Sequence, residues 1–382
     1  MGLPRHVDIR SIHGRRVGID HYRTIPLPPS LSLSLSLSPS PLLCLSLLAC
    51  GIFTFNTLTF LRHPSLLDST KNTILGACGS ETLPRGIIKA TSDLEMRSLF
   101  GAPRRKISSK NLLAIAVGIK QKEIVDQIVT KFFSSDFHVM LFHYDRAVDE
   151  WRGFPWCDKA IHVYAVNQTK WWFAKRFLHP DIVSEYSYIF LWDEDLGVEN
   201  FHPGRYLEIV REEGLEISQP ALKTGRGSSV HHSITARQRR NKVHRRFYKL
   251  TGGKGCLENS TGPPCTGWVE MMAPVFTSAA WRCAWHMIQN DLIYAWGLDY
   301  RLGYCAQGDR TRKIGVVDAE YVVHKGLPTL GGLDPVRFIP FNYHQVGLNG
   351  VRLRSYAELE IFKKRWRAAE EEDQCWTDPY PA

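Results

Sequence analysis

No acidic residue occurs between Lys223 and Lys254, and no charged residue of either sign between Arg23 and Arg62. The chain also lacks tryptophan before Trp151, although it has eleven in all. The first absence excludes an evenly mixed surface. Ten Lys and Arg fall in that stretch, and removing them from the 48 in the chain leaves 38 against 38 Asp and Glu, so one segment carries the whole formal excess of +10. Such a block attracts anions, whether phosphate, nucleic acid, anionic lipid or an acidic glycan; a solvated loop is the plainer alternative. Missing too is any glycine-rich stretch with phosphate-loop or dinucleotide-fold spacing, since "KTGRGSS" and "LTGGKGC" fit neither.

The second absence marks a membrane span. "PLLCLSLLACGIFTFNTLTFL" (41–61) has 21 residues, roughly 31 Å as a helix and about one hydrocarbon thickness. A signal peptide has a shorter apolar region and a small-residue cleavage site. Arg5, Arg10, Arg15, Arg16 and Arg23 precede the span against Asp8 and Asp20, which leaves the N-terminus cytosolic. The expectation is a single-pass type II anchor of the Golgi or endoplasmic reticulum. Residues 1–40 form a cytosolic low-complexity segment with its "LSLSLSLS" run, 62–110 a stem, 111–375 the lumenal domain and 376–382 a tail. An RNA-binding reading of the basic block needs cytosolic or nuclear exposure, so no nucleic-acid partner is expected. Seven of nine cysteines lie beyond the span. Cys256 and Cys265 bracket a loop that a disulfide could close. A zinc site using these cysteines with His231 and His232 is the alternative, without a standard ligand spacing. Two sequons, at Asn167 and Asn259, suit lumenal exposure.

From Asn111 the pattern alternates short apolar runs with amphipathic stretches. Strands are predicted at 111–119, 137–145, 159–166, 186–195 and 215–222. Helices are predicted over "KQKEIVDQIVTKFF", "TKWWFAKRFL" and "PGRYLEIVREEG", the last opening at Pro203 and closing at Gly214. This argues an α/β fold with a mostly parallel sheet flanked by helices, whose ligands bind beyond the carboxyl ends of the strands. Asp193, Glu194 and Asp195 stand at such an end, after "YIFLW". Carboxylates at i and i+2 can both face Mg²⁺ or Mn²⁺, which takes its other ligands from water and substrate phosphates. The alternative is that Asp195 caps a turn while Asp193 and Glu194 face water. Arg237 and His232, in or beside the basic block, are candidates for a flap over a diphosphate.

Four blocks carry a family resemblance: "IFLWDEDLGVENFHPGRYLEIVREEGLEISQPAL", "HHSITAR", "WVEMMAPVFTSAAWRCAWHMIQNDLIYAWGLDYRLGYC" and "GVVDAEYVVHKG". Together, over roughly residues 85 to 375, the chain resembles a plant family labelled lysine-ketoglutarate reductase trans-splicing related. That label implies neither activity, and the "LSLSLSLS" run departs from the family. The domain resembles GT-A glycosyltransferases, and the resemblance implies a nucleotide-diphospho-sugar donor and a glycan or protein acceptor. It places Asp193 and Asp195 at a divalent metal, with His324 of "YVVHKG" as a further ligand. "WVEMMAPVF" reads as a strand carrying Glu270. The run from Trp281 to Trp296 reads as a helix, with Asp299 just past it. Sugar transferases keep a base or acceptor-binding carboxylate in this half, which makes Glu270 and Asp299 the catalytic candidates; the alternative for each is a turn or cap acid. The rival function is a non-catalytic GT-A-like membrane protein that binds a glycan or a partner.

Overall fold

Alternate residues of the first strand face two different apolar cores. In β1 (Asn111–Val117) Leu112 and Ala114 join one cluster, while Leu113, Ile115 and Val117 join the other. A strand covered on both faces needs apolar residues at every position, which is why "LLAIAV" reads as a continuous run. The computed structural model describes residues 79–89, 110–239, 241–248, 255–327 and 343–380. The expected low-complexity segment and membrane span lie outside the described residues. Among those described, no helix is long and apolar enough to cross a membrane.

β1 is flanked in parallel by β2 (Phe137–His143) and β4 (Tyr188–Trp192), and β3 (Ile161–Tyr164) extends the same parallel half. The crossovers run through α2 (Lys122–Phe133) and α3 (Lys170–Phe177), numbered after the short α1 (Arg85–Lys89). α2 buries Val125, Ile128, Val129 and Phe132, the i, i+3, i+4, i+7 stripe of an amphipathic helix. Thr169 caps α3 by accepting a hydrogen bond from the Trp172 amide at 3.2 Å. α4 (Pro203–Glu212) starts with proline in its first turn, and Gly214 turns the chain out with φ +60°.

The other half of the sheet is where the expectation of a mostly parallel sheet gives way. β5 (Leu196–Gly197), β6 (Ile217–Leu222), β7 (Val243–His244), β8 (Val275–Thr277) and β9 (Ile314–His324) complete the order β3-β2-β1-β4-β8-β6-β9-β5, with β7 also on β9. Only β6–β9 is parallel there; β4–β8, β6–β8, β5–β9 and β7–β9 are antiparallel, so the sheet is mixed. The predicted strand over "WVEMMAPVF" shrinks to β8, and Glu270 lies in the irregular segment before it. Pro274 has no amide hydrogen to give a ladder, and the Met271 and Met272 carbonyls accept from Lys170. The predicted helix 281–296 is α5 (Ser278–Met287), because Ile288 turns to an extended backbone. Asp299 therefore sits in an irregular stretch well past the helix.

Helices cover both faces: α2 and α4 against one core, α3 and α5 against the other. α6 (Arg310–Lys313) leads into β9, and α7 (Tyr343–Glu372) adds Phe362, Trp366 and Ala369 to the second core. Part of the expected stem belongs to the folded unit, since Leu83 and Ile87 are buried there and Arg85 pairs with Asp373 at 2.7 Å.

Cys256 and Cys265 form a disulfide, and a second joins Cys283 of α5 to Cys305. Closing a loop of sequence separation 22 restricts the unfolded chain, worth about 3 kcal/mol. Replacing both Cys283 and Cys305 with alanine is expected to lower stability by about that much in urea unfolding. An unchanged midpoint would remove this bond from the account of stability.

Candidate functional site

β1 and β4 end together, with Ile115 opposite Trp192, and the chain leaves them at Gly118 and Asp193. Glu194 turns inward between them and is 1% exposed, contrary to the reading in which it faces water. The Gly118 amide donates to its Oε2 at 2.6 Å, and the Tyr144 hydroxyl donates to Oε1. Burial pushes the Glu194 carboxyl up to about 8; the two hydrogen bonds oppose this, and the charges of Asp193 and Asp195 reinforce it. The same burial, with Glu194 beside it, holds the Tyr144 phenol well above its ordinary value. Gly118 permits the approach, because a Cβ there would run into the Tyr144 ring.

Asp193 points the other way and meets Lys170, the first residue of α3. Their Nζ–Oδ1 distance is 2.7 Å, and Lys170 is only 7% exposed. The same ammonium donates to the Met271 and Met272 carbonyls at 2.7 and 3.3 Å. The Asp193 amide bonds the Met272 carbonyl at 2.9 Å. Lys170 thus ties the strand end to the segment that carries Glu270. Asp193 keeps 39% of its side-chain surface, yet loss of surrounding water raises its pKa, against the pull of Lys170.

Asp195 is placed by the β5–β9 pairing, which sets Leu196 opposite His324. Asp195 Oδ2 accepts from the Leu327 amide at 3.0 Å and lies 3.3 Å from His324 Nε2. His324 Nδ1 donates to the Ser229 carbonyl at 3.0 Å. Burial alone would raise the Asp195 pKa and lower that of His324; their hydrogen bond and attraction reverse both.

The three residues expected at a metal are therefore neighbours but unequal. Among the described residues, no group of three or more His, Cys, Asp or Glu is arranged to hold a metal ion. The pair Asp195–His324 does suit one. Adjacent donor atoms around a Mg²⁺-like ion lie about 3 Å apart, close to the observed separation. A histidine whose Nδ1–H is fixed by a carbonyl presents Nε2 outward, the usual support of a metal-binding imidazole. Asp193 is near enough for their charges to act on it, but its Oδ1 is taken by Lys170.

Glu270 joins the group electrically. Burial raises its carboxyl to about 7, His324 and Lys170 pull it down, and Asp193 and Asp299 push it up. Its amide bonds Gln219 Oε1 at 2.5 Å, and its buried Oε2 has no hydrogen-bond partner among the described residues. Burial likewise lifts Asp299 to about 6, opposed by the amides of Tyr300, Asp299 and Gly297. His232 packs on Trp268 at 4.7 Å between ring centroids, and His231 on His324 at 5.2 Å. Arg237 is committed elsewhere: its guanidinium lies 3.6 Å from the Tyr321 ring and donates to the Asp318 carbonyl at 3.0 Å. The described part of the basic block is anchored in the same way, with β7 in the sheet, Arg245 on Glu213 and Lys242 on Glu212. It is no free flap. The two disulfides also take four cysteines out of the zinc alternative.

Lys170 and Tyr144 were not singled out in the sequence, and Glu194 was named there only as a strand-end carboxylate facing water. For Glu194 a signal existed: Phe190 and Trp192 both face the α2 core, and period-two alternation carries residue 194 to the same side. For Lys170 and Tyr144 none did, because their partners are distant in sequence.

The fold and site define an α/β protein with a mixed sheet, flanking helices and an acidic cluster at the strand ends. The chain belongs to the family described as "Protein of unknown function (DUF707)", which matches residues 75–372. No curated protein matches it. Among solved structures it is similar in part to residues 1–349 of TarS from S. aureus (TM-score 0.32, 11% identity, 56% of this chain and 59% of that one). The same protein in complex with UDP gives a TM-score of 0.35 at 12% identity, with the same coverage. The mannosyltransferase Ktr4p from S. cerevisiae gives 0.23 at 8% identity, over 38% of this chain and 48% of that one. The chain thus spans 59% of the TarS chain. Likenesses at these scores establish neither a shared fold nor an activity.

Proposed function

We propose that the protein is a metal-dependent, GT-A-like glycosyltransferase of the secretory pathway that takes a nucleotide-diphospho-sugar donor. The observation that carries this reading is the Asp195–His324 pair, with its donor atoms 3.3 Å apart and His324 oriented by the Ser229 carbonyl. Asp195 and His324 would hold Mn²⁺ or Mg²⁺, with Asp193 beside them. The ion supplies neutralisation of the charge that develops on a leaving diphosphate. Lys170 holds Asp193 and the 271–272 backbone, which keeps Glu270 at the edge of the same cluster. Glu270 and Asp299, with carboxyls raised to about 7 and about 6, are suited to take a proton from an acceptor hydroxyl near neutral pH. The two disulfides suit an oxidising lumen, and both sequon asparagines, Asn167 and Asn259, are exposed. A type II anchor at 41–61 completes the proposal.

Melting the full-length protein with UDP and Mn²⁺ tests it. A ligand at a hundredfold excess over Kd adds about 2.7 kcal/mol, a shift easily seen. The double variant Asp193→Asn, Asp195→Asn is expected to lose that shift and to melt lower than wild type without the ion, because Lys170 and His324 lose their charged partners; His324→Ala is expected to weaken the shift. If the wild-type protein shows no shift with both ligands present, the donor site is wrong.

A further inference from the structure

Exposed aromatic rings are unfavourable unless something covers them, and here they gather. Among the described residues four aromatic side chains are exposed, and three of them, Trp296 (39%), Tyr300 (45%) and Tyr356 (56%), cluster around the Asp299 loop. Trp296 and Tyr300 flank Asp299 in "WGLDY", and Tyr356 approaches from α7, with its ring 5.0 Å from that of Trp296 at 75°. In a T-shaped pair one ring's edge meets one face of the other, so most of the ring surface remains open.

The loop is built to hold this display. Ala295 has φ +56°, a left-handed conformation uncommon for alanine, and Gly297 follows with φ +98°. Gly297 presses on α7 so closely that a Cβ would meet Leu359 at 2.7 Å and Phe362 at 3.1 Å. Trp296 is thus pinned between two left-handed residues with its indole outward rather than tucked into the core beside it.

The display is continuous with the candidate site. Tyr300 lies 6.4 Å from Trp268, which packs on His232, and Asp299 is close enough to Glu270 for each carboxyl to feel the other's charge. We propose that Trp296, Tyr300 and Tyr356 form a platform for a carbohydrate chain and set its end beside Asp299. This rests on the transferase reading above and names its acceptor class. Sugar rings combine apolar C–H faces with hydroxyl edges, so exposed aromatic faces next to a carboxyl are complementary to them. A flat hydrocarbon partner would not need the carboxyl, and a phosphate-rich one would be repelled by it.

The test uses full-length protein in detergent, without metal or nucleotide. It is titrated with the uncharged cello-, xylo- and manno-hexasaccharides and followed by isothermal titration calorimetry. The wild type is expected to bind at least one of the three. Trp296→Ala and Tyr300→Ala weaken that binding roughly tenfold or more, as for truncated aromatic anchors, while Trp296→Phe retains most of it. The Asp193→Asn, Asp195→Asn variant binds the same sugar normally, and Trp296→Ala keeps any UDP–Mn²⁺ melting shift. Sugar binding without a UDP shift would sink the donor reading and leave the platform standing. A UDP shift with no hexasaccharide bound overturns the platform alone. The platform also falls if sugar binds equally to wild type and Trp296→Ala, or if sedimentation shows that Trp296→Ala dissociates a dimer with no sugar bound.

Discussion

Replacing Lys170 with methionine is expected to lower the stability of the protein by about 3 kcal/mol, the low end for breaking a buried ion pair. The ammonium is almost fully buried and serves three acceptors: Asp193 Oδ1 and the Met271 and Met272 carbonyls. Methionine fills much of the volume but donates to none of them. Asp193 retains 39% of its side-chain surface, so water recovers part of its solvation, which places the effect at the low end. Adding Asp193→Asn removes the stranded charge, and the double variant should recover part of the loss. Urea unfolding of the wild type, both single variants and the double variant gives the coupling directly. A loss below about 1 kcal/mol for Lys170→Met would mean the pair is no better than a surface one.

That residue also shows where sequence reasoning stops. β1 and β4 were legible because a strand buried on both faces must be apolar throughout, and "LLAIAV" or "YIFLW" allow little else. α4 was legible from Pro203 and Gly214, residues that local backbone geometry demands. The segment 268–274 misled because its apolar residues suit a strand, while its hydrogen bonding is decided by Pro274 and by Lys170 some hundred positions earlier. The mixed pairing was hidden for a similar reason: β8 has three residues and β7 two, too few to show a period. At the site, a pair of carboxylates at i and i+2 after an apolar strand pointed to Asp193 and Asp195. The β5–β9 pairing then set Asp195 against His324. What opposes the charge of Asp193 came from across the fold, and no local pattern could announce it.

Three adjacent carboxylates at a strand end remain affordable because each meets a different partner: Lys170 for Asp193, His324 for Asp195, and a proton for Glu194. The last of these has the largest consequence for stability. The Glu194 carboxyl ordinarily titrates at 4.5 and is raised to about 8 in the fold, chiefly by burial. Between those values the native state holds a proton that the unfolded chain has released. Stability is therefore fully present below about 4.5 and is lost as pH rises towards 8, at up to about 1.4 kcal/mol per pH unit. Summed over the window, that is on the order of 5 kcal/mol, an upper figure for this one group. With no divalent ion added, Glu194→Gln is expected to remove most of this slope. Glutamine can accept from the Gly118 amide through its oxygen and donate to the Tyr144 hydroxyl through its nitrogen, so both partners stay satisfied. The variant should match the wild type near pH 5 and exceed it by several kcal/mol near pH 8.5, read from urea midpoints at each pH. If instead the wild type shows no greater slope than the variant, Glu194 is ionised throughout. In that case the Gly118 and Tyr144 hydrogen bonds outweigh its burial.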